Sequence, residues 1–100
     1  MVKHVILWQL KDELSAEEKQ TVRENAKKNL ESLVGKIDGL LSVEVNIDML
    51  ESSNVDMMLD TSFVDEASLK GYQKHPTHVE VANTFVRPFT KSRACFDYNK

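Results

Sequence analysis

The residues of this chain best suited to proton chemistry near neutral pH are its histidines, and two of them stand beside a tyrosine in one short stretch, Tyr72-Gln73-Lys74-His75-Pro76-Thr77-His78, with the third at His4. Proline deletes a hydrogen bond inside a helix but fits a first helical position, so one helix is expected to end near Lys74 and another to start at Pro76. His75 and His78 then lie in the opening turn of the second helix. The free amides and the positive dipole end there favour a neutral imidazole, which can accept a proton or coordinate a metal. A structural role competes with this one. A histidine at a helix start can bond free backbone amides, and Tyr72 can anchor a helix by burying its ring.

Composition narrows the function classes. One hundred residues suit a single domain over 1–100, which buries about 65% of the surface of its unfolded chain. A net charge of -3 leaves no footprint for nucleic acid or anionic lipid, and no apolar run is long enough to span a bilayer. Met1 to Leu10 alternates too strongly for a signal peptide and is followed at once by Asp12 and Glu13, so a cytoplasmic protein is expected. Cys95 is the single cysteine. It excludes an internal disulfide and reads as a small buried strand residue with no histidine beside it. A metal held by His4, His75 and His78 lacks the usual carboxylate or cysteine companions, so no metal site and no cofactor are expected. No Gly-x-Ser-x-Gly elbow or phosphate-cradling glycine loop occurs.

The elements that must position these residues follow from periodicity. Val2 to Leu10 reads as a strand apolar at successive positions, Val5-Ile6-Leu7-Trp8, and so covered on both faces. Ser15-Ala16-Glu17-Glu18 forms a capping box, and Val22, Ala26, Leu30, Leu33 and Ile37 continue an amphipathic helix that stops around Gly35. Leu41, Val43, Val45, Ile47 and Met49 alternate as a second strand. Val55, Met57, Leu59, Thr61 and Phe63 form a third, hairpin-paired to the second through the loop at Ser52-Ser53-Asn54. Asp65 caps a short helix with Ala67, Leu69 and Tyr72; the next carries Val79, Ala82, Phe85 and Val86 and ends at Pro88. Thr90 to Tyr98 alternates as a last strand, with Ala94, Phe96 and Tyr98 opposite Arg93, Cys95 and Asp97.

This order predicts an α+β, ferredoxin-like βαββαβ protomer, with helices on one face of a four-stranded, mostly antiparallel sheet. The other face is bare. The two-sided apolarity of Val5 to Trp8 implies that a second subunit covers it by packing sheet on sheet, giving a homodimer.

The chain resembles the stress-responsive dimeric α/β-barrel (Dabb) family nearly end to end. The likeness rests on the Lys3-His4-Val5 opening, Trp8-Gln9-Leu10-Lys11-Asp12-Glu13, the Ser-x-Glu-Glu helix start, Phe63, Tyr72-x-x-His75-Pro76-x-His78-Val79 and the closing Phe96-Asp97-Tyr98. The resemblance implies protomers whose sheets pair into a barrel across a homodimer. A plant polyketide cyclase similar to the family closes its linear substrate by aldol condensation without a cofactor, and its reacting tyrosine and histidine correspond by motif to Tyr72 and His78, its first-strand histidine to His4. The resemblance thus implies one reading as a homodimeric stress-response protein that binds a small apolar ligand between sheet and helices, against His75, Ile6, Trp8 and Phe85. The alternative is a cofactor-independent cyclase or lyase in which His78 is the general base and Tyr72 and His4 hydrogen-bond the developing enolate. An apolar cavity that reaches Tyr72 and His78 is what the second reading needs. Side chains as large as Phe85 and Trp8 filling it would exclude that reading.

Overall fold

A computed structural model describes residues 1–100. The chain runs β1 (Val2–Leu10), α1 (Ala16–Glu31), β2 (Leu40–Asn46), β3 (Met57–Phe63), α2 (Glu66–Lys74), α3 (Pro76–Phe85), a 3-10 turn at Arg87–Phe89 and β4 (Thr90–Asn99). The four strands form one antiparallel sheet in the order β2-β3-β1-β4. This is the ferredoxin-like fold, with its second helical segment split in two at Pro76.

Strand β1 lies inside the sheet, paired on both sides, and its alternation decides what faces what. Val2, His4, Ile6, Trp8 and Leu10 are buried beneath the helices, while Lys3, Val5, Leu7 and Gln9 point to the opposite face and are half-buried. Met57, Leu59, Thr61 and Phe63 of β3 continue the buried face, and Val22, Ala26 and Leu30 of α1 close over it. Glu24 and Lys28 between those three are exposed and keep the outer face of α1 in water. Ser15 completes the predicted capping box with Glu18.

Two elements differ from their periodicity. Helix α1 ends at Glu31, yet Leu33 and Ile37 stay buried because the turn that follows folds them back onto the core. The register between β2 and β3 steps at Leu40 and Ser42, so Leu41 bulges out and is exposed, whereas Val43 and Val45 keep their places opposite Thr61 and Leu59. Ile47 and Met49 lie beyond the strand. A bulge shifts the phase by one residue, which alternation alone does not show.

An ion pair ties α1 to the strand ends. Arg23, buried on α1, donates from Nε to the Asp56 carbonyl at 2.9 Å and from Nη2 to its carboxylate at 3.2 Å, while the other carboxylate oxygen accepts from the Leu10 amide at 2.7 Å. Removing one partner leaves a buried charge uncompensated. Asp56→Ala is therefore expected to destabilise the fold by about 3–5 kcal/mol in urea melts, and a loss within about 0.5 kcal/mol would show that the pair does not hold these elements together.

Candidate functional site

Strands β1 and β4 and the α2–α3 junction converge on one side of the sheet. His4 sits at the middle of the converging elements, on the buried face of β1 and only 2% exposed. Its backbone partner on β4 is Asp97, so both side chains fall on the same face. His4 Nδ1 and Asp97 Oδ1 are 2.5 Å apart. An ionised carboxylate only accepts, so Nδ1 is the donor of this contact, and a neutral ring held this way has its lone pair on Nε2. The backbone is held as well, because the Thr61 hydroxyl donates to the His4 carbonyl at 2.7 Å.

Tyr72 and His78 approach from above. Asp65 starts α2 by accepting from the Ser68 amide, and this helix drives Tyr72 into the core, where it is fully buried. Its ring lies against His78 with centroids 4.0 Å apart, meets Phe63 edge-on at 5.1 Å, and is 6.3 Å from His4. Both the Tyr72 hydroxyl and His78 Nδ1 are buried without a hydrogen-bond partner. Burial pushes the phenol well above its usual range, so it remains a donor. His78 is pulled down to about 4, first by loss of water, then by the Arg87 guanidinium, by His4 and His75 when they are protonated, and by Arg93. Near neutrality it is uncharged.

A cavity of about 220 Å³ opens between sheet and α3. Ile6, Trp8, Leu59, Ala82 and Val86 supply apolar wall, His4 and His78 face it, and Arg87 and Arg93 also line it. The bulk of Trp8 forms part of the wall without filling the space. Of the residues singled out from the sequence, His4, His78, Ile6 and Trp8 line this cavity, and Tyr72 stands behind His78. His75 does not join them: its Nδ1 accepts from the Thr77 amide at 3.2 Å and caps α3, the structural role open to a histidine at a helix start. Phe85 turns toward another groove, beside Leu14, Val22 and Phe89.

Asp97 and Cys95 were not recognised from the sequence as site residues. Cys95 is exposed, not a buried strand filler, and its Sγ lies 3.8 Å from His4 Nδ1 and 3.3 Å from Asp97 Oδ1. The expectation that no histidine stands beside it fails because β4 pairs with β1 across nearly the whole length of the chain. Their shared alternation with Arg93 was the available signal; the missing fact was which strand lay next to β4.

The fold and this arrangement define a ferredoxin-like domain with a histidine-lined cavity on the helical side of its sheet. The chain belongs to the stress-responsive A/B barrel domain family, Dabb, whose model matches residues 2–100. It is similar to a dimeric protein of unknown function and ferredoxin-like fold from Bacteroides fragilis at 32% identity, covering 99% of this chain and 95% of that one with a TM-score of 0.92. The Arabidopsis thaliana protein At3g17210 is 25% identical, covering 100% and 95% of the two chains with a TM-score of 0.77. A hydroxynitrile lyase from Passiflora edulis, 15% identical over 97% and 90% of the chains with a TM-score of 0.71, shares the fold. Comparison with curated proteins finds no match. No helix is long and apolar enough to cross a membrane.

The depressed His78 has a consequence for stability. With a folded pKa of about 4 against 6.5 for the free side chain, the unfolded chain takes up this proton first as pH falls. The contribution of His78 is present in full above about 6.5, declines below it and is lost once pH has fallen through about 4. NMR titration should find His78 still neutral at pH 5.5, and a midpoint at or above 6.5 would contradict its burial.

Proposed function

We propose that the protein is a homodimer that binds a small carbonyl compound in the cavity between its sheet and helices and catalyses proton transfer at the carbon next to the carbonyl. The observation that carries this reading is the pairing of His4 with Asp97 in a cavity that His78 also faces. Asp97 accepts a hydrogen bond from the Nδ1–H of His4, as a carboxylate orients a catalytic imidazole, and Nε2 is left as the base. It removes the acidic C–H proton, and the electron pair moves onto the carbonyl oxygen. The uncharged His78 ring donates its N–H to that oxygen, a neutral donor being better matched to an enolate than an imidazolium that would surrender its proton outright.

These roles differ from the sequence expectation, which made His78 the base. A group with a pKa of about 4 binds a proton too weakly for that task near neutrality, and the geometry supports His4 in its place. Tyr72 backs the His78 ring and keeps it in place. The space available, about 220 Å³, is below the roughly 300–1,000 Å³ of pockets for drug-sized ligands. A compact ketone or aldehyde suits it better than an extended polyketide, and lyase or aldol chemistry on such a compound would begin with the same proton transfer.

The dimer reading rests on the face away from the helices. Val5, Leu7, Met58, Phe96 and Tyr98 share that face, and Phe96 is 67% exposed with its ring 5.5 Å from Tyr98. So large an aromatic surface on the open face of a sheet is costly to leave in water. The Bacteroides fragilis relative is described as dimeric. Two such faces packed together would bury more than about 1,000 Å², enough for a stable interface.

Two experiments test these proposals. Val5→Glu, which places a charge on the proposed interface, should convert the dimer to monomer or unfold it in sedimentation velocity runs; a dimer of unchanged affinity would exclude this face. For the chemistry, deuterium exchange at the central carbon of acetylacetone, followed by NMR, should be accelerated by the protein. His4→Gln should cut the acceleration by about 10²–10⁴-fold, whereas Tyr72→Phe, which removes a hydroxyl without a partner, should leave thermal stability unchanged or slightly raised. Exchange that persists in His4→Gln would remove His4 from the mechanism.

A further inference from the structure

We propose that His4, Cys95 and Asp97 form a binding site for a thiophilic divalent cation, with zinc the ion that fits best. His4 Nδ1, Cys95 Sγ and Asp97 Oδ1 all lie within 4.8 Å of one another, on the same face of neighbouring strands. Their separations are 2.5 Å for nitrogen to oxygen, 3.3 Å for sulfur to oxygen and 3.8 Å for sulfur to nitrogen. Around a tetrahedral zinc, with bonds of about 2.0–2.3 Å, ligand atoms stand roughly 3.3–3.6 Å apart. Two edges of the triangle are already close to that span. Only the nitrogen–oxygen edge must open, by about 1 Å, as a metal ion replaces the proton the two atoms share.

The donor set points to the class of ion. A thiolate and an imidazole with one carboxylate suit zinc or cobalt and are poor partners for magnesium or calcium, which prefer all-oxygen shells. The backbone is already ordered, since β1 and β4 are paired through this region, so little rearrangement is required beyond side-chain rotation. Cys95 and Asp97 are exposed and give the ion a route from solvent, while the buried His4 provides the inner ligand. Three protein ligands leave one position of a tetrahedron open to water. Binding releases one proton, from the Cys95 thiol, while the His4 proton moves from Nδ1 to Nε2, and the charges balance as a dication joins a thiolate, a carboxylate and a neutral ring.

This goes beyond the proton-transfer reading and bears on it. An imidazole that coordinates through Nδ1 carries its proton on Nε2, so an occupied site presents a donor to the cavity where the free protein presents a base. Metal occupancy and the base role of His4 exclude each other, and zinc would act as a reversible inhibitor.

Cobalt(II) is the direct probe, because a thiolate ligand gives it a near-ultraviolet charge-transfer band and a tetrahedral shell gives it intense visible bands. Titration of the metal-free protein should develop both and saturate at equimolar cobalt, with zinc displacing the signal. Cys95→Ser should abolish the charge-transfer band, and Asp97→Asn should weaken binding by about 10–100-fold; Cys95 is exposed and the asparagine oxygen can still accept from His4 Nδ1, so both variants should fold. Absence of the band, or a band of undiminished affinity in Asp97→Asn, would overturn the site and leave at most a lone thiol that captures cobalt. Exchange of acetylacetone measured in the presence of a chelator keeps the two proposals apart. Cys95→Ser should retain the wild-type rate there and lose its inhibition by zinc, whereas failure of exchange with cobalt binding intact would count against the proton-transfer reading alone.

Discussion

A histidine on the buried face of an interior strand needs a partner, and much of this structure follows from how His4 finds one. Left unpaired, a buried imidazole nitrogen costs about 1–3 kcal/mol, a large share of the stability of a domain this small. Asp97 removes that cost only if β4 lies next to β1 in the observed register, with residue 97 opposite residue 4. The pairing thus helps to fix how the chain's last strand meets its first. It also puts Cys95 beside the histidine and Arg93 at the edge of the cavity.

The same alternation along β1 separates two surfaces with different demands. Toward the helices, Ile6, Trp8 and Leu10 build the core and His4 interrupts it with the one polar side chain on that face of the strand. Away from them, Val5 and Leu7 join Met58 and Phe96 in an apolar surface that suits a second copy of the chain. A one-residue slip of β1 would exchange the two sets, burying Lys3 in place of His4. Site and proposed interface are therefore parts of one constraint, and a change that loosens the interface is expected to be felt at the site through β1.

Most of the architecture was legible because its signals are local. The Ser15 capping box, the Asp65 cap and Pro76 each mark a helix start within a few residues, and the elements begin there. The gathering of His4, Tyr72 and His78 was also expected, and the rings stand together. What local pattern could not show was the neighbour relation of distant strands. Asp97 and Cys95 were read only as one face of a last strand, since nothing in their spacing tells which strand lies beside it. Arg23 escaped notice for a related reason: on a helix it looks like solvated charge, and only the approach of Asp56 from the start of β3 makes its burial tolerable. The bulge at Leu41 and the capping role of His75 were settled by backbone geometry in the same way.

The central claim is that Asp97 holds the His4 proton on Nδ1 and leaves Nε2 bare toward the cavity. Long-range proton–nitrogen NMR correlation of the imidazole rings, recorded on metal-free protein at neutral pH, measures this directly. His4 should show a protonated Nδ1 and a pyridine-like Nε2, and Asp97→Asn should perturb that pattern. A proton found on Nε2 of His4, in either the neutral or the charged ring, would contradict it.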